Sequence, residues 1–465
     1  MTLVAGVDSS TQSVKIVVCD LEKGNVVRSA RASHPDATEV SASAWLAAYQ
    51  EATADPALLD GVAALAVGGQ QHGMVTLDEG GDLVRDALLW NDNRSAQDAR
   101  DLIAELGGPA VWADAVGSVP VASMTVSKIR WLARAEPENA ARTTMVVLPH
   151  DWLSWQIGGR GFAPTTDRGD ASGTCYYDAT ADRYRNDLVQ LALGHDLELP
   201  RVAAPSEVIG YTPSGIAVAP GTGDNMAGGL GLGVTSGAAV VSVGTSGTAF
   251  TKTSQQTHEP TGTVAGFADA TGEFLPLVCT LNGARNLVAT AHILGVTLDE
   301  LSELALSAEP GSQGVTFIPY LEGERTPPLP DARGQLLGLT LSNMTPANIA
   351  RATVEGVLWS LAYGVEVLRE QTGEISSITL TGGASQSEAV RQIATAVFGV
   401  PIVVTDTFES VAVGAARQAA WALTGALPDW PVPVLSQHEP TAADQRAATE
   451  IMERYRSVLA AHFGV

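Results

Sequence analysis

The chain has 465 residues and carries 51 acidic against 27 basic side chains, a formal charge of −24. At about 150 residues per domain that length predicts two or three domains, and 45% hydrophobic against 17% charged residues excludes a disordered chain. The acidic balance excludes a broad nucleic-acid or anionic-membrane surface, which needs clustered Lys and Arg, but leaves room for one small anion held by backbone amides. The 47 glycines follow no fixed period, and Cys19, Cys175 and Cys279 lie far apart outside any C-x-x-C spacing. Neither a collagen-like repeat, a disulfide framework nor a zinc site is therefore expected. The first residues lack a basic, apolar leader and no run of about 18 apolar residues occurs, so the expectation is a cytoplasmic protein with no membrane span.

In chain order, the start reads as a β-meander. Thr2 to Val7 is β-rich, Asp8 to Ser13 is a small polar turn, Val14 to Cys19 is β-branched again, and Lys23-Gly24-Asn25 turns into Val26-Val27. Ser41 to Ala52 has helical spacing, Val62 to Val67 reads as a strand, and helices are expected over Ser95 to Leu106 and Ser127 to Glu136, with a short strand at Met145 to Leu148. A second meander begins at Ala238: strand to Val243, turn Gly244 to Gly247, strand Thr248 to Lys252, with Val264 to Phe267 and Phe274 to Cys279 able to extend the sheet. Thr345 as N-cap, Pro346 at the first helical position and Gly373 as terminator bracket a long helix. Strands at Ile378 to Leu380 and Pro401 to Val404 then alternate with helices at Gln386 to Val397 and Val411 to Leu423.

The turns at Asp8 and Gly244 lie 236 residues apart, about half the chain. A repeat of that length implies two similar domains facing one another across a cleft. In the first turn, small residues from Ser9 to Ser13 let amides and hydroxyls approach phosphate oxygens, and Asp8 has the chemistry to hold magnesium through water. Gly244-Thr245-Ser246-Gly247 is the same device without the acid. Leu380-Thr381-Gly382-Gly383-Ala384-Ser385-Gln386-Ser387, between a strand and a helix, offers close approach and a helix N-terminus. It fits neither the P-loop nor the Rossmann fingerprint. Asp224, in Gly223-Asp224-Asn225, could serve as the base at an acceptor hydroxyl, although Asp-Asn is also a common turn. Gln71 and His72, after the strand ending at Val67, could bind sugar hydroxyls, while a lone His is more often structural. Trp90 could face the carbon face of a polyol, although packing in the core is the default expectation.

Ser123 to Leu132, with Lys128, Ile129 and Trp131, and Gly334 to Glu355, with Asn348, Ile349, Ala352 and Glu355, resemble the two signatures of the FGGY carbohydrate kinases. The resemblance runs from Val4 to Leu423. Gln70-Gln71-His72-Gly73, Leu89-Trp90-Asn91-Asp92, Thr222-Gly223-Asp224-Asn225 and Tyr320 to Pro327 are similar to strings of the branch that acts on xylulose, in which Met is more usual where Gln71 stands. Glycerol-specific members usually carry an Arg-Glu pair at positions 71 and 72.

The resemblance implies an α/β fold of two ribonuclease H-like, actin-like ATPase domains with a central interdomain cleft. The boundaries expected are 1–235 for the sugar-binding domain, 236–425 for the nucleotide-binding domain and 426–465 for a tail packed on the core. It implies transfer of phosphate from ATP, with Mg2+, to a small sugar, D-xylulose giving D-xylulose 5-phosphate. Asp224 would be the catalytic base and Asp8 the catalytic and metal-supporting acid. Gln71, His72, Asp224 and Asn225 would hold the sugar. Thr11, Lys15, Gly244, Thr245, Gly382, Gly383, Ala384 and Ser387 would contact the nucleotide. A homodimer is a common family expectation, and neither nucleic acid nor membrane is an expected partner. Two other readings stay open: the same chemistry on ribulose, gluconate, erythritol or an alditol, and an actin-like nucleotide-binding module without a sugar substrate.

Overall fold

The computed structural model describes residues 2–405 and 409–464. Two compact units form, and neither is a continuous stretch of chain. One comprises Met1–Gly233, Ser254–Leu275 and Glu409–Val432; the other comprises Val234–Thr253, Pro276–Phe408 and Pro433–Val465.

In the first unit the apolar strand Leu3–Ser9 pairs antiparallel with Ser13–Asp20 and parallel with Val62–Gly69. Val26–Ser33 continues the meander at one edge; Ala217–Val218 and then Gly210–Tyr211 extend the other. All seven residues of Leu3–Ser9 are buried, as expected for a central strand covered on both faces. Trp45 and Trp152, edge to face at 6.2 Å, fill the core on one side together with Ile16, Val18 and Leu65. The helix Ser410–Thr424 covers the other side. It fits only because glycines remove side chains along the contact. A Cβ on Gly6 would sit 1.8 Å from the Ala412 carbonyl oxygen, and one on Gly414 would sit 1.8 Å from that of Ala227. That close packing returns Glu409–Val432 to the first unit, and Trp430 fixes its end by donating from Nε1 to the Leu21 carbonyl at 3.0 Å.

The second unit repeats the arrangement. Ala238–Val243 pairs antiparallel with Gly247–Thr251 and parallel with Ser377–Thr381. Phe274–Thr280 follows on the hairpin side, and Ile402–Thr405 then Val434–His438 follow on the other. Over six strands, order and direction match the first sheet: a meander, two parallel strands, and an antiparallel edge; Thr222–Gly223 in the first sheet and Ala265–Ala268 in the second have no counterpart. Helix Pro346–Thr372 has the caps read from sequence, with the Thr345 hydroxyl accepting from the Asn348 amide and Gly373 at φ +89°. Its Trp359 stacks on Tyr455 at 4.2 Å, so the C-terminal helix Ala442–Phe463 packs on this unit. Among the described residues no helix is long and apolar enough to cross a membrane.

Candidate active site

The strand Leu3–Ser9 runs two residues further than its sequence reading, so Asp8 lies in the sheet and not in the turn, directly opposite Lys15. It is 4% exposed. Lys15 Nζ lies 3.7 Å from Asp8 Oδ2 and 2.7 Å from Glu409 Oε2, so its ammonium is shared between two carboxylates. Burial pushes the Asp8 carboxyl up to about 7, with Lys15 opposing the rise and Glu409 adding to it. Asp8 Oδ1 is buried and accepts no hydrogen bond. Such an orphaned acceptor fits a hydrated magnesium ion, which needs only one or two carboxylates beside its waters. Among the described residues no three His, Cys, Asp or Glu side chains converge as a metal site.

The turn itself closes through the Ser10 amide on the Ser13 carbonyl, 3.0 Å, with His34 Nδ1 donating to the Ser10 carbonyl at 2.8 Å. Thr11 Oγ1 accepts from Trp90 Nε1 at 2.9 Å. Trp90 is 40% exposed, so the expectation of core packing for it is overturned: its indole is anchored by one polar bond at the turn and leaves a ring face in solvent.

Asp224 opens the helix Asp224–Gly231, whose first-turn amides favour a negative side chain. The preceding Thr222–Gly223 pairs with Gly68–Gly69, which places Asp224 at the end of the same sheet as Asp8. Gly221, at φ +79°, makes this approach: a Cβ there would lie 2.4 Å from the Val67 carbonyl oxygen. Asp224 Oδ1 accepts from the Asn225 amide at 2.8 Å and from Asn225 Nδ2 at 3.1 Å. The carboxylate keeps partial solvent access, yet protein packed around it dominates: burial first, then repulsion from Asp8 and Asp170, pushes it up to about 7. Asn225 Nδ2 also donates to Gln71 Oε1 at 2.9 Å.

His72 follows in the left-handed region at φ +66°, a strain of roughly 1–3 kcal/mol that surrounding contacts must hold. Its Nδ1 donates to the Gly173 carbonyl at 2.8 Å, the Thr125 hydroxyl donates to its carbonyl at 3.2 Å, and the Phe267 ring lies 5.6 Å from its imidazole. Lys128 fixes that neighbourhood from within. It is fully buried, donates to the Ser123 carbonyl, and is lowered to about 7 by burial.

A charged cluster behind these residues went unread in the sequence. His150 is buried with Nδ1 2.8 Å from Asp170 Oδ2 and Nε2 3.1 Å from Asp151 Oδ1, with Asp167 at 3.9 Å. Burial pulls His150 down, but the three carboxylates together carry it up to about 9. Asp167 also caps the helix Arg168–Ser172 and accepts from Thr222 Oγ1 at 2.7 Å, just before Asp224. The available signals were Pro149-His150-Asp151 and Asp167-Arg168-Gly169-Asp170, each locally an ordinary helix start.

In the second unit the Gly244-Thr245 turn is pinned by the Ala284 amide on the Gly244 carbonyl, 2.7 Å, with Thr245 exposed. Gly382, at φ +90°, lies so close that a Cβ would fall 2.7 Å from the backbone of Val243. The two glycine turns are thus neighbours at one end of the sheet. Gly383 is exposed with open space at its Cβ position, Ala384 is buried, and Ser387 precedes helix Glu388–Phe398 with its hydroxyl 3.3 Å from that of Ser302. The first unit therefore gathers Asp8, Thr11, Lys15, Gln71, His72, Asp224 and Asn225, and the second gathers Gly244, Thr245, Gly382, Gly383, Ala384 and Ser387.

Two family models match the chain: the N-terminal domain of the FGGY family of carbohydrate kinases over residues 3–231, and its C-terminal domain over 239–423. The xylulose kinase of Streptomyces coelicolor is 43% identical over 438 residues, covering 91% of this chain and 88% of its own length. That of Streptomyces rubiginosus is 43% identical over 441 residues, covering 91% and 88%. The crystal structure of xylulose kinase from Bifidobacterium adolescentis is 44% identical, covers 97% of this chain and 99% of its own, and superposes with a TM-score of 0.89. Matched in both domains and over nearly all its length, the chain belongs to the FGGY family of carbohydrate kinases, sugar kinases with a two-domain, actin-like α/β fold.

Proposed function

We propose that the chain phosphorylates D-xylulose at the terminal hydroxyl, using ATP and giving D-xylulose 5-phosphate and ADP. Asp224 carries the reading: it is a carboxylate at a helix N-terminus whose proton affinity is raised to about 7 and whose Oδ1 is fixed by Asn225. A base of that strength takes a hydroxyl proton as the oxygen attacks the γ-phosphorus and the bond to the β-phosphate oxygen breaks. Gln71, His72 and Asn225 orient the sugar, and the strained, well-braced His72 backbone supports a fixed imidazole position. Gly244, Thr245 and Gly382 to Ala384 offer amides to phosphate oxygens, and Ser387 and Thr11 add hydroxyls. Lys15 favours the ionised form of Asp8 against the burial that raises its proton affinity. Asp8 would hold Mg2+ through water, and the ion supplies charge neutralisation at the phosphates. The names of the relatives at 43–44% identity support xylulose as the acceptor.

The test is ADP release measured with a coupled assay over xylulose, ribulose, gluconate, erythritol and an alditol. Xylulose should give the highest kcat/KM. A better rate on another member moves the acceptor, and ATP turnover indifferent to sugar removes the kinase reading for this site.

A further inference from the structure

The buried His150 cluster does more than occupy the interior behind the sugar-binding turn. Gln71 Oε1 accepts from Asn225 Nδ2, so the other end of the Gln71 amide, Nε2, is turned away from Asn225. That nitrogen is buried without a hydrogen bond of standard geometry, and so is Asp170 Oδ1. Gln71 nevertheless acts as a side-chain partner that favours ionised Asp170, so the two face each other across a long or oblique contact. A carboxylate only accepts, and an amide nitrogen only donates, so their polarity matches. Asp170 Oδ2 in turn receives the His150 Nδ1 proton at 2.8 Å. His150 is held in its doubly protonated form by Asp151 on its other nitrogen.

We infer that His150 and Asp170 are positioning residues that act on Asp224 through Gln71 and Asn225, as one chain of donors and acceptors. Hydrogen bonds join His150 Nδ1 to Asp170 Oδ2, and Gln71 Oε1 to Asn225 Nδ2 and on to Asp224 Oδ1; Gln71 Nε2 and Asp170 Oδ1, a buried donor and a buried acceptor with no hydrogen bond of their own, are the pair that would close the gap between them. Both hydrogens of the Asn225 amide are used, one on Gln71 and one on Asp224, so rotating any link misplaces the next. The same cluster reaches Asp224 by a second route, because Asp167 holds the Thr222 hydroxyl two residues before it. Glutamine at 71 supplies both an acceptor and a donor; methionine there would supply no donor and only a weak acceptor.

This inference rests on the proposed kinase reaction, with Asp224 as base. The test is a double-mutant cycle between Asp170→Asn and Gln71→Met, reading kcat and KM for xylulose together with the melting temperature. Asp170→Asn alone should lower kcat on the order of tenfold, and in the Gln71→Met background it should change kcat little, because the link is already cut. Losses that multiply independently, or an Asp170→Asn enzyme that melts lower with kcat kept, overturn the relay. Should Asp170→Asn not fold, Gln71→Met alone decides: the relay lowers kcat, whereas a glutamine that only touches sugar raises KM with kcat kept. A wild-type protein without sugar-dependent ADP formation overturns the functional reading itself. An active wild type with additive losses overturns only the relay.

Discussion

The two units each build their own sheet on the same six-strand order, and differ in what the hairpin carries. In the first, a buried acid stands in the strand opposite a lysine, and a second acid arrives on the neighbouring parallel strand path. In the second, the equivalent turn holds no ionisable side chain. Its shape comes from glycines that touch backbone: Gly283, whose Cβ would sit 2.5 Å from the Gly244 carbonyl oxygen, and Gly382 against Val243. The same backbone device therefore serves two chemistries. One half invests in charges whose proton affinities are shifted, which is what proton transfer and metal support require. The other places glycines where a side chain would strike backbone, an arrangement that would suit an anion held by amides.

The largest way to break this contrast is Asp224→Ala. Turnover of sugar should fall by about a hundred- to ten-thousandfold, the range for loss of a general base. Nucleotide affinity, measured by calorimetry, should hold, because the glycine turns are untouched. Near-normal turnover would remove Asp224 from the base role.

Much of the contrast was legible in the sequence because it is local. Gly, Ser and Thr strings at strand ends announce the turns, and Thr345, Pro346 and Gly373 announce the long helix. The reach of Asp8 into the sheet was not, since a polar residue at a strand end reads as turn until its partner Lys15 is seen in register. Nor was the placement of Glu409–Val432 with the first unit, which depends on Gly6 meeting Ala412 across more than 400 residues. Core packing is the default for a tryptophan, and at Trp90 one bond to Thr11 Oγ1 together with 40% exposure overrides it, leaving the polyol-facing alternative open. The His150 cluster was invisible for a similar reason: Asp167 and Asp170 each look like helix-start residues, and only the fold sets a histidine between them.

A second expected effect follows from the raised proton affinity of Asp224. Asp224 and Asp8 are both raised to about 7 and both must be ionised, so kcat/KM should rise with pH through about 7 and fall between about tenfold and a hundredfold per unit below it. KM for ATP, with magnesium in excess, should stay level over the same range if the second unit's turns bind it through backbone. A KM for ATP that follows the same limb would erase the contrast.

Neighbouring glycines in the second unit sharpen it further. Gly383→Ala adds a methyl into open space, so the fold should melt unchanged while KM for ATP rises a few-fold. Gly382→Ala forces a Cβ within 2.7 Å of Val243 at φ +90°, so it should destabilise by about 1–3 kcal/mol whatever the ligand. If Gly383→Ala leaves KM for ATP unmoved, the turn is not the phosphate contact.

The smallest effect separates the units by pH alone. His150 has a folded value of about 9 against an ordinary 6.5, so its stabilising contribution is whole below 6.5 and is lost as pH rises through 9. Asp151 and Asp167 are shifted the same way, up to about 7 and about 6 from 3.8, so their contribution has already gone by pH 7. Between pH 7 and 9 His150 loses about 2 of its roughly 3.4 kcal/mol, while Lys128, lowered from 10.5 to about 7, is protonated only in the unfolded chain and offsets that loss by a similar amount. His150, Asp151, Asp167 and Lys128 all belong to the first unit. In Lys128→Met, which removes the offsetting group, hydrogen exchange corrected for intrinsic rate should show the amides of Leu3–Ser9 losing protection over that interval while those of Ser377–Thr381 keep theirs. Equal losses in both strands would mean that the cluster's charge is not what holds the first unit, or that the two units open as one.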